Sequence, residues 1–95
     1  MITRLVKMHF RHDATEQFKT IFQGAQPLIA AFPGCHGVKL LQDSLHPHIF
    51  FTYSWWDSHE ALEAYRESDL FRTTWAKTKV LFNERPEAWS VREIS

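Results

Sequence analysis

His48-Ile49-Phe50-Phe51-Thr52-Tyr53-Ser54-Trp55-Trp56 is the stretch on which the fold turns. β-Branched and aromatic residues run through it almost without a break, which suits a pleated strand. Alternation sets Ile49, Phe51, Tyr53 and Trp55 on one face and Phe50, Thr52 and Trp56 on the other, so neither face is made for water. Such a strand needs cover on both sides. The unbroken hydrophobicity does not say which set meets the rest of the chain's core.

Working upstream, Asp43-Ser44-Leu45-His46-Pro47 has turn chemistry, and Gly37 to Asp43 reads as a strand around Val38, Leu40 and Leu41, a hairpin partner. Pro33-Gly34 stops a preceding helix whose stripe is Phe18, Ile21, Phe22, Ala25, Leu28, Ile29 and Phe32. Asp13 and Glu16 look like its capping box, and Pro27 with Gly24 predicts a kink or split on its solvent side. Ile2 to Phe10 is the first strand, with Ile2, Val6, Met8 and Phe10 on one face and Thr3, Leu5, Lys7 and His9 on the other.

Downstream, Asp57-Ser58 caps a helix carrying Ala61, Leu62 and Tyr65, and Ser68-Asp69 restarts it with Phe71, Thr74, Trp75, Thr78 and Phe82 on one stripe. After Pro86, Ala88 to Arg92 alternates as a last strand. The order β-α-β-β-α-β predicts an α+β, ferredoxin-like fold: a four-stranded antiparallel sheet with both helices on one face. The helix-free face is then a large apolar patch, so a homodimer through paired sheet faces is expected.

At 95 residues, without a linker-like stretch or internal repeat, the chain is expected to form a single domain over 1–95. Eleven basic and eleven acidic residues cancel, which argues against nucleic acid and anionic membranes as partners. No window approaches ~18 consecutive apolar residues, and charges occupy the early positions where a signal peptide is apolar, so a cytoplasmic location is expected. The lone cysteine, Cys35, cannot form an internal disulfide.

Six histidines lack the spacing of a metal site, and no Gly-rich phosphate loop or Gly-Xaa-Ser-Xaa-Gly elbow occurs, so neither a metal nor a nucleotide cofactor is expected. Cys35 beside His36 suggests a thiolate pair, but adjacent strand residues point apart, which favours a small buried cysteine. The segment from Trp55 to Phe82 says more. Tyr65, Phe71, Trp75 and Phe82 give aromatic bulk, and Thr74 and Thr78 set hydroxyls one turn apart on the same face. Two readings stay open: an apolar pocket with a few polar groups, or a solid core in which each Thr bonds the carbonyl one turn back.

Trp56-Asp57-Ser58-His59-Glu60-Ala61-Leu62-Glu63-Ala64-Tyr65, followed by Ser68-Asp69-Leu70-Phe71, resembles the Trp-Xaa-Ser-Xaa-Glu-Ala-Leu and Ser-Xaa-Xaa-Phe pattern of antibiotic biosynthesis monooxygenase (ABM) domains. Length, element order and the Phe32-Pro33-Gly34-Cys35 turn are also similar. The resemblance implies a dimeric α/β barrel with one pocket per subunit between helices and sheet. It further implies a choice among cofactor-free oxygenases of anthrones, quinol monooxygenases and haem-degrading enzymes. The haem-degrading branch is similar in using an Asn, a Trp and an iron-ligating His, whose positions fall near Val6, at Tyr65 and at Trp75 here, so haem cleavage is disfavoured. The expected function is cofactor-independent oxidation of a small aromatic, quinol- or anthrone-like substrate by molecular oxygen. Tyr65 and Trp75 are the expected catalytic residues, with Phe71, Thr74, Thr78, Phe82, Val6 and Met8 holding the substrate. The alternative is a homodimer that binds a small aromatic ligand, or serves structurally, without catalysis. His9, His36 and His48 are candidates for a general base by their ordinary pKa, although His9 lies opposite Val6 and Met8.

Overall fold

The computed structural model describes residues 1–95. Strand β1 (Ile2–His9) leads to helix α1 (Thr15–Ala30), then strands β2 (Cys35–Gln42) and β3 (Ile49–Trp56). Helices α2 (His59–Arg66) and α3 (Asp69–Lys79) follow, and strand β4 (Glu87–Val91) completes the fold. The sheet order is β2-β3-β1-β4 with every neighbour antiparallel. This is the ferredoxin-like arrangement, its second helix in two pieces. β3 lies between β1 and β2, inside the sheet, with both of its edges hydrogen-bonded.

Packing decides which face of β3 meets the helices. Phe50 and Trp56 are sealed with Ile2, Met8 and Phe10 of the first strand region and Phe18, Phe22 and Ile29 of α1. In the ladder, Ile2 faces Trp56, Val6 faces Thr52 and Met8 faces Phe50. The other set, Phe51, Tyr53 and Trp55, therefore turns away from the helices. Registers place Leu5, Leu41, Trp89 and Val91 on that same side. Leu41, Trp89 and Val91 are 47%, 43% and 41% exposed, so this face is uncovered.

Several local expectations are corrected. α1 starts after Ala14, with no side-chain cap, because Asp13 turns to Arg11 (Oδ1 to Nε, 3.4 Å) and Glu16 to Lys19 (Oε1 to Nζ, 3.1 Å). The helix runs unbroken through Pro27. Pro27 is exposed there, and so is Gln23, whose carbonyl loses its helical donor but keeps water. Leu28 is 58% exposed and so lies off the buried stripe. Phe32 falls beyond the helix and packs edge-on against Trp56 and Tyr65 instead.

The break between α2 and α3 is built by serines. Ser58 Oγ accepts from the Ala61 N–H and Ser68 Oγ from the Phe71 N–H, each at 3.1 Å. Ser68 Oγ also donates to the Tyr65 carbonyl at 2.6 Å, fastening the end of one helix to the start of the next. Phe82 lies past α3, where it bridges to Phe10 and packs on its ring at 5.2 Å, so it is not part of a helical stripe. No helix is long and apolar enough to cross a membrane.

Candidate active site

A cavity of about 290 Å³ lies between the helix-facing side of the sheet and the helices. An apolar cavity of ~150 Å³ already holds benzene, so there is room here for a larger ring system. β1 supplies Val6 and Met8, and β3 supplies Thr52 and Ser54. α1 closes the back with Phe18, Phe22 and Ile29, while α2 and α3 bring Leu62, Tyr65, Phe71, Thr74, Trp75 and Thr78. Arg66, Glu87 and Ala88 line it and are exposed, marking where it opens to solvent.

Tyr65 is clamped by rings. It stacks on Trp56 at 4.9 Å and meets Phe71 edge-on at 5.2 Å. Trp56 is itself fixed by its Nε1–H donating to Ser54 Oγ at 2.9 Å. Burial pushes the Tyr65 phenol up to about 12, with the Cys35 thiol adding to the effect. Its hydroxyl therefore stays protonated at neutral pH and serves as a donor, not a base. Trp75 stacks on Phe71 at 5.8 Å with planes 11° apart, which presents its indole along the same wall.

The two threonines divide between the readings left open by the sequence. Thr78 Oγ1 donates to the Thr74 carbonyl at 2.8 Å, so its proton is committed to the helix. Thr74 makes no such back-bond and lines the cavity. Phe82 does not line it; it supports the wall from behind, edge-on to Trp75 at 5.5 Å.

None of the candidate histidines reaches the cavity. His9 projects to the helix-free face and pairs with Glu84 at 3.2 Å. His36 hydrogen-bonds to Asp57, and His48 packs at a tilt against His12, ring centroids 4.2 Å apart. The Cys35 thiol is half-buried, donates to the Gly37 carbonyl at 3.6 Å, and is pushed up by burial, so it is no thiolate.

A family model for antibiotic biosynthesis monooxygenase matches residues 1–77. The chain belongs to the antibiotic biosynthesis monooxygenase family. Among solved structures, an antibiotic biosynthesis monooxygenase superposes with a TM-score of 0.93 over 100% of both chains at 13% identity. A protein from Nitrosomonas europaea superposes at 0.92 with 19% identity, again over 100% of both chains. One from Mycobacterium tuberculosis superposes at 0.90 with 15% identity, covering 99% of this chain and 95% of its own. At these identities the likeness is one of fold. No curated protein matches the chain.

Within the ABM fold, Val6, Tyr65 and Trp75 line one cavity. At or near these positions the resemblance set the Asn, Trp and His of the haem-degrading branch. The wall carries no His or Cys, and Trp cannot ligate iron, so the residues do not fit haem held by that scheme. Sequence reasoning missed Arg4, Thr52, Ser54, Arg66 and Glu87 on the wall. For Arg4 a signal existed: it shares the alternation phase of Ile2, Val6 and Met8, the face that packs inward.

Proposed function

We propose that this ABM-family chain is a cofactor-independent monooxygenase of small aromatic, quinol- or anthrone-like substrates. The observation that carries the reading is a ring-sized, largely apolar cavity lined by Tyr65 and Trp75, whose hydroxyl and indole N–H make no bond to protein. Both are donors free for a ligand oxygen.

Electron-rich substrates of this kind contribute the electrons themselves. An anthrone CH₂ and O₂ give C=O and H₂O; a quinol and O₂ give a hydroxyquinone and H₂O. Both balance without another reductant. The protein's tasks are then to hold the ring in a dry site and to stabilise the oxyanion left when a proton departs. Tyr65 and Trp75 supply donors to that oxygen, Phe71 and Met8 pack on the ring, Val6 floors it, and Thr74 and Thr78 orient it. Phe82 acts indirectly by holding Trp75. The departing proton passes to solvent at the opening, where Arg66 and Ala88 are exposed.

We further propose that residues 1–95 act as one domain and that two copies pair through the face bearing Phe51, Tyr53 and Trp55. Oxygen-electrode assays across quinols and anthrones test the reaction. Substrate-dependent uptake with formation of the hydroxyquinone from a quinol, or the C=O product from an anthrone, is the expected result. Tight ring binding without uptake would leave the cavity as a ligand site, a second reading favoured by the lack of a histidine base on the wall.

A further inference from the structure

Arg4 is a charged residue in the inward phase of a core strand. Its neighbours along that face are Ile2 and Val6, and across the ladder it sits between Ser54 of β3 and Ser90 of β4. Both cross-strand neighbours are small, which leaves space above the sheet for a long side chain. Arg4 uses that space to line the cavity.

Its only side-chain bond is from Nη1 to Ser90 Oγ at 3.0 Å, and no carboxylate lies within ion-pair distance. A guanidinium has five N–H donors, so most of the fork is unspent. The nearby Arg66 also lines the cavity but is answered by Glu63, Nη1 to Oε1, at 2.8 Å. Burial lowers the Arg4 pKa, the Arg66 charge lowers it further and Glu63 opposes, so the surroundings as a whole disfavour this cation. Glu87, exposed at the opening, stands opposite Lys7 in the ladder, in the phase of the helix-free face, and pairs with neither arginine. A half-buried guanidinium with most of its donors unspent, beside a second cation, makes this part of the wall a place that favours an anion.

We propose that Arg4 is a specificity-determining residue that receives a carboxylate carried on the aromatic ligand, so that the site selects aromatic acids over their neutral analogues. The inference rests on the proposed ring-binding cavity and names its substrate class. The apolar wall takes the ring, and the Arg4 fork takes the carboxylate in the planar, two-bond geometry that suits it. Arg66 adds a second positive charge at the opening and helps draw the anion in.

The test uses 2-naphthoate and 2-naphthamide, isosteric rings that differ in charge, with binding followed by calorimetry and Trp fluorescence. Binding of the amide reports the cavity, while the ratio of the two affinities reports Arg4, so the readings fail separately. Naphthoate is expected to bind about tenfold more tightly than naphthamide. Arg4→Gln should bring naphthoate down to the affinity of the amide, and Arg4→Lys should restore part of the difference. Equal affinities in the wild type would overturn the inference, whatever the variants do. So would a preference that survives Arg4→Gln, or binding of neither probe.

Discussion

Tyr65 lies stacked on Trp56, ring centroids 4.9 Å apart and planes 26° apart, while the same Tyr65 lines the cavity. One ring is thus both core and cavity wall, and the proposed function gives its hydroxyl a second job. The jobs can be separated. Tyr65→Phe keeps the stacking and should leave the thermal midpoint within about 3 °C, since little buried area changes. If the hydroxyl holds the developing oxyanion, kcat should fall on the order of 100-fold, the effect of losing one such donor. Paired melting curves and oxygen-uptake rates check both parts. An unchanged kcat would remove Tyr65 from the chemistry.

The same burial makes a prediction about alkaline pH. A free phenol titrates near 10, whereas Tyr65 is pushed up to about 12. Between those values the unfolded chain releases the proton and the folded chain keeps it. The contribution is therefore fully present below pH ~10 and is lost as pH rises through the folded value. Urea unfolding should show wild type losing stability relative to Tyr65→Phe across that window by on the order of 2 kcal/mol. A constant difference would mean that Tyr65 titrates normally.

Much of this architecture could be read from residue order. The alternation of Ile49 to Trp56 called for a strand with cover on both faces, and Ser58 and Ser68 marked the starts of α2 and α3. Other features depend on tertiary contacts that local patterning does not encode. The Asp13 and Glu16 carboxylates found nearby cations in place of the helix terminus, and Phe82 left the α3 stripe because Phe10 offered a ring to pack against. The choice between the two faces of β3 was undecidable from one strand and was settled by which set α1 covers. At the site, Tyr65, Trp75, Phe71 and Thr74 were visible as a helical stripe. Arg4 was overlooked because a single charge among apolar neighbours reads as a strand edge until the sheet shows it inside.

With the uncovered face assigned, dimerisation has a definite target. If two sheets pair through Phe51, Tyr53 and Trp55, an Asp at position 53 would place an unpaired charge in the interface. Light scattering should report a dimer for wild type and a monomer or aggregate for Tyr53→Asp. A wild-type monomer at micromolar concentration would refute the pairing.

At one end of the sheet, His48 has a buried Nδ1 with no hydrogen-bond partner. Desolvation, then His12, His46 and His9, lower its pKa, and Glu84 offsets them in part. His48 is thus held neutral in the fold. As pH falls through the ordinary value near 6.5, the unfolded chain takes up this proton first, so stability should decline on mild acidification. His48→Phe should flatten that decline when denaturant midpoints are compared at pH 7.5 and 5.5. An identical slope in the variant would acquit His48.

Gly34 and Gly24 should respond oppositely to the same substitution. Gly34 has φ +84°, and a Cβ built there would lie 2.6 Å from the Ala61 Cβ, while its carbonyl accepts the Asp57 N–H at 2.8 Å. Two difficulties coincide: a left-handed backbone and a collision with α2. Gly34→Ala should therefore destabilise by about 2 kcal/mol or more, because relief requires moving α2 and with it Tyr65. Gly24 lies inside α1, where an added Cβ meets nothing within 4 Å. There Ala restricts the unfolded chain and favours the helix, so Gly24→Ala should stabilise by about 0.5–1 kcal/mol. Chemical denaturation of the two variants measures both signs. If Gly34→Ala were neutral, the turn would not be what positions α2 over the cavity; if it also weakened ring binding, the turn and the site would be mechanically one unit.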